Sequence, residues 1–69
     1  LAQTAWEFFE NSRQLAPTAA RLHVHVNTVR QRLDRMDRLH GGPGWRSGPN
    51  AVDTHFALRL WKTRQELSG

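Results

Sequence analysis

Residues 16–39, APTAARLHVHVNTVRQRLDRMDRL, constrain the fold of this chain more than any other stretch. They predict a short helix, a tight turn and a longer helix rich in Arg. On a helical wheel of about 100° per residue, Val29, Leu33 and Met36 fall on one side of the longer helix, with Leu39 at the edge. The opposite side is polar, with Asn27, Gln31, Asp34, Arg35 and Arg38. This split predicts one face packed against a core and one basic face exposed to solvent.

The segment before the longer helix predicts a short helix followed by a turn. Pro17 suits the first position of the short helix, where its missing N–H would have no acceptor anyway, and the helix would end at about Leu22. The turn follows at about His23–Val26. Where the longer helix begins stays open, because Asn27 is the better N-cap by side-chain chemistry whereas His25 would give a tighter turn.

Two further stretches flank this helix pair. Residues 1–11 predict a first helix, because apolar residues recur there at helical spacing, namely Leu1, Ala5, Phe8 and Phe9, with Ala2 and Trp6 beside them. Residues 40–50 hold four Gly and two Pro in eleven positions, which excludes a helix and predicts a loop. Trp45 is the only large apolar residue in that loop, so we expect it to pin the loop to the core.

A last helix is predicted from about Ala51 to Leu67, with Asn50 as its N-cap and Asp53 as an acidic residue in its first turn. Its main apolar face would consist of Val52, Phe56, Leu60 and Leu67. A second, partial stripe lies off that face and consists of Ala57, Leu58 and Trp61. Two interpretations of the second stripe stay open: contact with another copy of the chain, or packing of Trp61 onto the loop around Trp45.

Composition limits the chain to one small domain. With 69 residues, 38% of them hydrophobic, and three Trp, the chain can bury one compact core, although a chain of this size hides only about 60% of its unfolded surface. Cys is absent, which excludes disulfides, thiolate metal ligands and cysteine nucleophiles. The sequence shows no strand-like alternation. We therefore predict a single all-α, four-helix domain over residues 1–69.

Charge and hydropathy narrow the classes of partner. Ten Lys and Arg against six Asp and Glu give a net charge of +4, and nine of the ten cations are Arg. Arg suits phosphate and guanine because its planar fork donates two parallel hydrogen bonds. Apolar runs are far shorter than the roughly 20 residues that cross a membrane, so we expect no membrane partner and a cytoplasmic location. Because the sequence begins with Leu1 and not Met, we expect a fragment of a longer protein.

The helix pair of residues 16–39 meets the requirements of a DNA-reading helix-turn-helix. A reading helix must fit a major groove roughly 12 Å wide and present its first turns to base edges, while a supporting helix fixes its angle. The scaffold side would consist of Ala19, Leu22, Val24, Val29 and Leu33. In the recognition helix, about 26–39, we expect Arg30 and Gln31 to contact bases in double-stranded DNA. The candidates for its backbone are Thr28, Arg32 and Arg35.

The block LHVHVNTVRQRL, residues 22–33, resembles the LHvHrNTlryRL core of the C-terminal domain of the purine-catabolism-regulator (PucR) family, which includes sugar-diacid regulators. The resemblance extends over nearly the whole chain. Leu1, Thr4 and Phe8–Phe9 look like the leading helix of the family, residues 18–22 match its second helix, and residues 56–60 resemble its closing helix. It implies a bacterial transcriptional regulator whose C-terminal helix-turn-helix binds operator DNA, while an absent N-terminal region binds a small-molecule effector.

The same block is similar to the DNA-binding ends of the factor for inversion stimulation and of nitrogen-regulator activators, where the residues that open the second helix contact DNA. Carried over, this similarity implies contacts from His25, Val26, Asn27, Thr28, Arg30, Gln31 and Arg32. Val26 stands where the family usually has Arg, and Gln31 stands where an aromatic residue is common. These departures bear on the target sequence and not on the binding mode. One recognition helix reads few base pairs, so we also expect a homodimer in the full-length regulator.

Other functions find less support. His23 and His25 form an H-x-H pair, but that spacing points the rings apart on a helix and no acidic or Cys cluster completes a site, so we expect no metal and no cofactor. The sequence has no nucleophile–base order, no evident pair of carboxylates in a cleft and no phosphate-binding Gly loop, so we expect no enzyme. RNA binding lacks the exposed stacking aromatics usual for single strands.

One alternative from a different class stays open. The chain would then be a helical protein-interaction or dimerisation module whose basic face is incidental. In that case the Arg face would be only solvated, and Asp34 could pair with Arg30 and Arg38 at i,i+4 spacing, which contributes a few tenths of a kcal/mol for each pair.

Overall fold

Four α-helices and one 3-10 turn form the protein, in a computed structural model that describes residues 1–68. The helices are α1 (Ala2–Glu10), α2 (Leu15–Leu22), α3 (Val26–Leu39) and α4 (Asn50–Ser68), and the 3-10 turn spans Pro43–Trp45. The described residues contain no strand, so the predicted all-α, four-helix architecture is confirmed. Within residues 1–68, no helix combines the length and the apolar character needed to cross a bilayer.

A single apolar core joins all these elements. Its buried members are Ala5, Phe8, Phe9, Ala19, Val29, Leu33, Met36, Trp45 and Ala51. Helix α1 supplies Phe8 and Phe9 to this core, as its periodicity predicts, and packs on α2, α3 and α4. The 3-10 turn packs on both α3 and α4. Helix α1 and the 3-10 turn therefore separate α3 from α4.

Helices α1, α2 and α3 end with the same backbone geometry. The chain turns through a left-handed residue after each helix: Ser12 (φ 58°), His23 (φ 58°) and Gly41 (φ 75°). The next N–H then bonds back to the helix, with Arg13 to Phe8 at 2.8 Å, Val24 to Ala19 at 3.1 Å and Gly42 to Asp37 at 2.7 Å. These bonds satisfy carbonyls that helix ends otherwise leave without partners. Only one of the three left-handed residues is glycine, so glycine alone would not have marked the other two helix ends.

Helix α2 begins at Leu15, earlier than predicted, and Pro17 is its third residue and not its first. The N–H of a third residue also lacks an intrahelical acceptor, so the proline costs no hydrogen bond there. Thr18 is fully buried, and its hydroxyl donates to the carbonyl of Gln14 at 2.7 Å. This bond satisfies the one polar group that the first turn of α2 places in the core.

The orientation of α4 contradicts the prediction. The four residues expected to face the core are exposed, namely Val52 (74%), Phe56 (64%), Leu60 (55%) and Leu67 (84%). The helix packs through its other side, where Ala51 is buried and Leu58 lies against the core. Trp61 is half-buried and lines one cavity with Trp45. Leu58 and Trp61 of the second stripe thus lie on the packing side, whereas Ala57 is exposed. This supports the interpretation that Trp61 lies near the loop.

Polar residues on the packing side of α4 explain why the hydrophobic pattern chose the wrong face. The ring of His55 stacks on Phe9, with centroids 4.9 Å apart and planes at 17°. Its Nε2 lies 3.1 Å from a carboxylate oxygen of Glu10. A hydrophobicity pattern counts His55 as polar, although the ring packs here like an aromatic residue. Asn50, expected as N-cap, is itself the first residue of α4.

The loop between α3 and α4 is attached to α3 through Asp37. Its carboxylate accepts hydrogen bonds from Trp45 Nε1 at 2.8 Å and from Arg46 Nε at 3.1 Å and Nη2 at 2.6 Å. Burial alone would raise the pKa of Asp37, but the hydrogen bonds from Arg46 and Trp45 outweigh it and hold this pKa below its ordinary value. Trp45 is buried, so it pins the loop to the core as predicted.

Candidate nucleic-acid interface

Helix α3 is held in place by the apolar face that its sequence predicts. Val29 and Leu33 are fully buried, and Met36 is 9% exposed. Burying each such side chain contributes about 1.5–3 kcal/mol, so the helix cannot turn about its axis without losing most of this free energy. The opposite face of α3 is therefore fixed toward solvent.

A turn of three residues, His23 to His25, sets the angle between α2 and α3. Val24 lies half-buried against the core and anchors the middle of the turn. His25 is extended (φ −70°, ψ 149°), and its Nδ1 accepts the N–H of Asn27 at 3.0 Å. His25 is thus the N-cap and α3 begins at Val26, which decides between the two starts that the sequence left open. The cap uses Nδ1, so the Nε2 atom of His25 takes no part in it.

The structure brings the eight candidate DNA-binding residues together on the first turns of α3. Five of them are exposed: His25, Asn27, Arg30, Gln31 and Arg35. Three are half-buried: Val26, Thr28 and Arg32. Val26 packs against the core, so it offers a ligand only part of its side chain.

A shallow groove runs between α3 and the start of α1. It is lined by Leu1, Gln3, Thr4, Leu22, Thr28, Gln31, Arg32 and Arg35. The three residues expected to contact a nucleic-acid backbone, Thr28, Arg32 and Arg35, thus share one concave surface. Gln3 also belongs to this surface, and nothing in the sequence had indicated it, because the groove exists only once α1 lies beside α3.

Arg32 is held by a side chain of α1. Its Nη1 donates to the hydroxyl oxygen of Thr4 at 3.3 Å, and Thr4 is only 2% exposed. A guanidinium carries five N–H donors, so this bond leaves most of them unused. Fixing Arg32 in advance lowers the side-chain entropy that a ligand would otherwise have to remove on binding.

The acidic residues of α3 are directed toward the loop and not toward the neighbouring Arg side chains. Asp37 pairs with Arg46 at 2.6 Å, and Asp34 lies 3.8 Å from the same guanidinium. Among residues 1–68, neither Arg30 nor Arg38 forms an ion pair. The i,i+4 pairs that would have neutralised the basic face are therefore not formed in the described part of the chain.

Metal-ligating side chains are dispersed over the described residues. In residues 1–68, no three His, Asp or Glu side chains come close enough together to hold a metal ion. His23 ends α2 and His25 begins α3, and both are exposed. The geometry of the H-x-H pair thus serves the turn between the two helices.

Sequence reasoning missed two features that support this interface. One is the attachment of the loop to α3 by Asp37, Trp45 and Arg46. The rule that a buried Trp N–H needs an acceptor predicts some partner for Trp45 but does not select Asp37. The other is the contribution of α1, through Gln3 and Thr4.

Comparison with known proteins identifies the family. A family model described as the PucR C-terminal helix-turn-helix domain matches residues 1–60. The match covers most of the chain, so the chain belongs to this family, and the resemblance carried by residues 22–33 is confirmed. No curated protein and no solved structure gives a significant match. Membership indicates DNA binding within a regulator and a type of domain that is typically non-enzymatic.

Proposed function

We propose that this PucR-type domain binds double-stranded DNA sequence-specifically, with α3 lying in the major groove. The observation that carries the proposal is the exposed face of α3. Asn27, Arg30 and Gln31 are exposed on its first turns, while the opposite face is locked in the core. A major-groove helix needs this combination of a fixed orientation and free donors near its N-terminus.

In this proposal Arg30 and Gln31 read bases. An Arg fork donates two hydrogen bonds to the major-groove edge of guanine, and a Gln amide pairs with adenine in the same way. Each such contact contributes about 1–3 kcal/mol of discrimination against other bases. His25 and Asn27 lie beside them as further polar contacts. Val26 adds at most an apolar contact, such as one with a thymine methyl group, because it is half-buried.

The same proposal assigns Thr28, Arg32 and Arg35 to the phosphate backbone. They line one groove with the start of α1, where a strand of DNA would pass alongside the inserted helix. Backbone contacts add affinity without sequence preference, and log K falls with log salt by about 0.9 for each phosphate neutralised. Backbone and base contacts therefore give different signatures in one assay.

Titration of the chain with duplex DNA over a salt series tests these roles. The duplexes should come from a selection of random sequences, so that the operator need not be known beforehand. We expect Arg32→Ala to weaken binding to all duplexes and to reduce the salt slope by about one unit. Arg30→Ala should weaken binding to the selected sequence and relax its specificity at one base pair. Arg13→Ala, which removes an equal charge from the α1–α2 connection, is the matched control and should bind almost normally.

Two kinds of result would reject the proposal. One is binding that does not respond to salt, or no binding at millimolar duplex. The other is an equal loss for Arg13→Ala and Arg32→Ala, which would mean that only net charge matters.

The wider role follows from the same proposal. The domain would act, as one unit over residues 1–69, in a bacterial cytoplasmic regulator that works as a homodimer, with a small-molecule effector bound by a separate N-terminal region.

The alternative of a protein-interaction module is favoured by one observation, the exposed apolar side of α4. The two functions are compatible, since α3 and α4 do not pack on each other.

A further inference from the structure

Helix α4 presents a line of apolar side chains to solvent. We define its outer stripe as Val52, Phe56, Leu60 and Leu67, which are 55–84% exposed. With about 150–200 Å² for each fully exposed side chain of this size, these fractions leave roughly 500 Å² of apolar surface uncovered. Single exposed apolar residues are ordinary, whereas a contiguous patch near the upper end for a monomer is often functional.

The other side of the same helix explains why this stripe is unusual. Ala51 is buried in the core, Leu58 packs against it, and Trp61 lines one cavity with Ala2 and Trp45, so α4 carries apolar residues on two opposite sides. A helix that is apolar on both sides normally lies between two packed layers. In residues 1–68 only one of those layers is present.

We infer that a second copy of this chain binds the outer stripe, with the two α4 helices antiparallel. Charge favours this occupant. Asp53 and Arg64 lie on the same edge of the stripe, and within residues 1–68 neither forms an ion pair. They are eleven positions apart, about 16 Å along the helix, and so cannot pair within one copy. Along this edge the negative charge lies near one end of the helix and the positive charge near the other. When two copies of the helix lie antiparallel, each charge therefore meets the opposite charge of the other copy.

A two-fold axis between Phe56 and Leu60 would bring the two apolar stripes together and also pair the charges on their edges. It places Phe56 of each copy against Leu60 of the other, and it brings Asp53 of each copy beside Arg64 of the other. Such an interface is isologous, since the same patch serves both copies. It leaves α3 uncovered, because α1 and the 3-10 turn lie between α3 and α4.

The size of the interface indicates a weak dimer. Two stripes would bury about 1,000 Å² in total, at the lower limit for a specific interface. This inference rests on the proposed function, in which two copies on two DNA half-sites would add their contacts. It also predicts that dimerisation is detectable without DNA, at high concentration of the chain.

Sedimentation of the chain alone, up to millimolar concentration, tests the surface. We expect concentration-dependent dimers, and Phe56→Glu should raise the dissociation constant at least tenfold because each copy would bury an unpaired charge. Leu39→Glu is the matched control, since Leu39 is similarly exposed (66%) on another helix, and it should leave the dimer unchanged. Circular dichroism establishes that both variants keep their helices.

Charge reversal tests the antiparallel arrangement. Asp53→Lys and Arg64→Glu should each weaken the homodimer, and an equimolar mixture of the two variants should regain association, because opposite charges then meet across the interface. A chain that stays monomeric at millimolar concentration, or equal effects of Phe56→Glu and Leu39→Glu, would overturn the inference. Failure of the mixture to associate better than either variant would overturn the antiparallel pairing.

These experiments distinguish a failure of the dimer from a failure of the proposed function. If the dimer forms as described but no duplex binds, only DNA binding is rejected. If Phe56→Glu binds one half-site like the unmodified chain but loses affinity for paired half-sites, both the α4 dimer and the proposed DNA binding are supported.

Discussion

Helices α3 and α4 both combine apolar and charged residues, yet their orientations were not equally predictable. In α3 the apolar residues lie on one side, and that side is buried except at Leu39, the last residue of the helix. In α4 they occupy two sides, and the pattern selected the exposed one. Hydrophobic periodicity therefore identifies a helix in both cases, but it gives the orientation only where a single apolar face exists. The second apolar face of α4 is informative, because a helix that is apolar on both sides normally lies between two packed layers.

The largest expected effect concerns a buried and an exposed leucine of α3. Leu33→Ala should lower the free energy of unfolding by about 2–5 kcal/mol, because it leaves a cavity at a fully buried position. Leu39→Ala, on the same helix but 66% exposed, should change it by less than about 0.5 kcal/mol. Urea denaturation of both variants measures the difference. Equal losses would show that α3 does not pack as described.

The attachment of α3 to the loop should give the next largest effect. Asp37→Asn should lower the free energy of unfolding by about 1.5–3 kcal/mol, since it weakens charge-assisted hydrogen bonds to Arg46 and Trp45. Asp34→Asn is the control, because Asp34 is about half exposed and 3.8 Å from Arg46, and it should have little effect. A loss for Asp34→Asn as large as that for Asp37→Asn would contradict the assignment of this link to Asp37.

The same carboxylate makes stability depend on pH. The pKa of Asp37 is lower in the folded state than its ordinary value, so its contribution is complete above about pH 4. That contribution is lost as the pH falls through the lower, folded-state pKa, because the protonated group no longer pairs with Arg46. Denaturation midpoints below pH 4 should therefore fall more steeply for the unmodified chain than for Asp37→Asn. Parallel curves would contradict this.

A smaller effect should separate the two sides of α4. Leu58→Ala should lower the free energy of unfolding by about 1–2 kcal/mol, because Leu58 is half-buried against the core. Leu60→Ala, at 55% exposure, should cost less than about 0.5 kcal/mol in the monomer. Measurements at low micromolar concentration keep self-association out of the comparison. The reverse order would restore the orientation that the sequence pattern predicted.

The smallest effect concerns how α3 begins. His25→Ala should lower the free energy of unfolding by about 1 kcal/mol, since it removes the N-cap acceptor. Asn27→Ala should have less effect, because Asn27 is exposed and only its backbone N–H takes part in the cap. His25→Asn, which restores a cap acceptor, should recover most of the loss. A larger loss for Asn27→Ala than for His25→Ala would reverse the assignment of the cap.

The features of this molecule that could be predicted are those determined by residues close together in the chain. The extent of α3, about 26–39, and its buried line Val29, Leu33 and Met36 follow from one clean period and are confirmed by the structure. Propensities chose neither the start of α2 nor the N-cap of α3. Thr18 donates to the carbonyl of Gln14 at the start of α2, and His25 Nδ1 accepts the N–H of Asn27 at the start of α3. The role of His55 could not be predicted, because its contact with Phe9 joins residues far apart in the chain.

The candidate interface likewise has one part that could be predicted from the sequence and one part that could not. The exposed Arg30 and Gln31 follow from the helical wheel, whereas the groove that joins α3 to Gln3 and Thr4 depends on tertiary packing. The roles of the eight candidate residues stay predictions, to be decided by the DNA titrations.

The indole N–H of Trp45 provides a way to time motions of the loop. It donates to Asp37 at 2.8 Å from a buried ring, so its proton can exchange with deuterium only when that bond opens. If the loop detaches while α3 stays folded, this proton exchanges faster than the amide protons of Leu33 and Met36. If all three exchange at one rate, the loop and α3 open as one cooperative unit. A single well-resolved resonance would thus report whether DNA or a second copy of the chain changes the dynamics at the C-terminal end of α3.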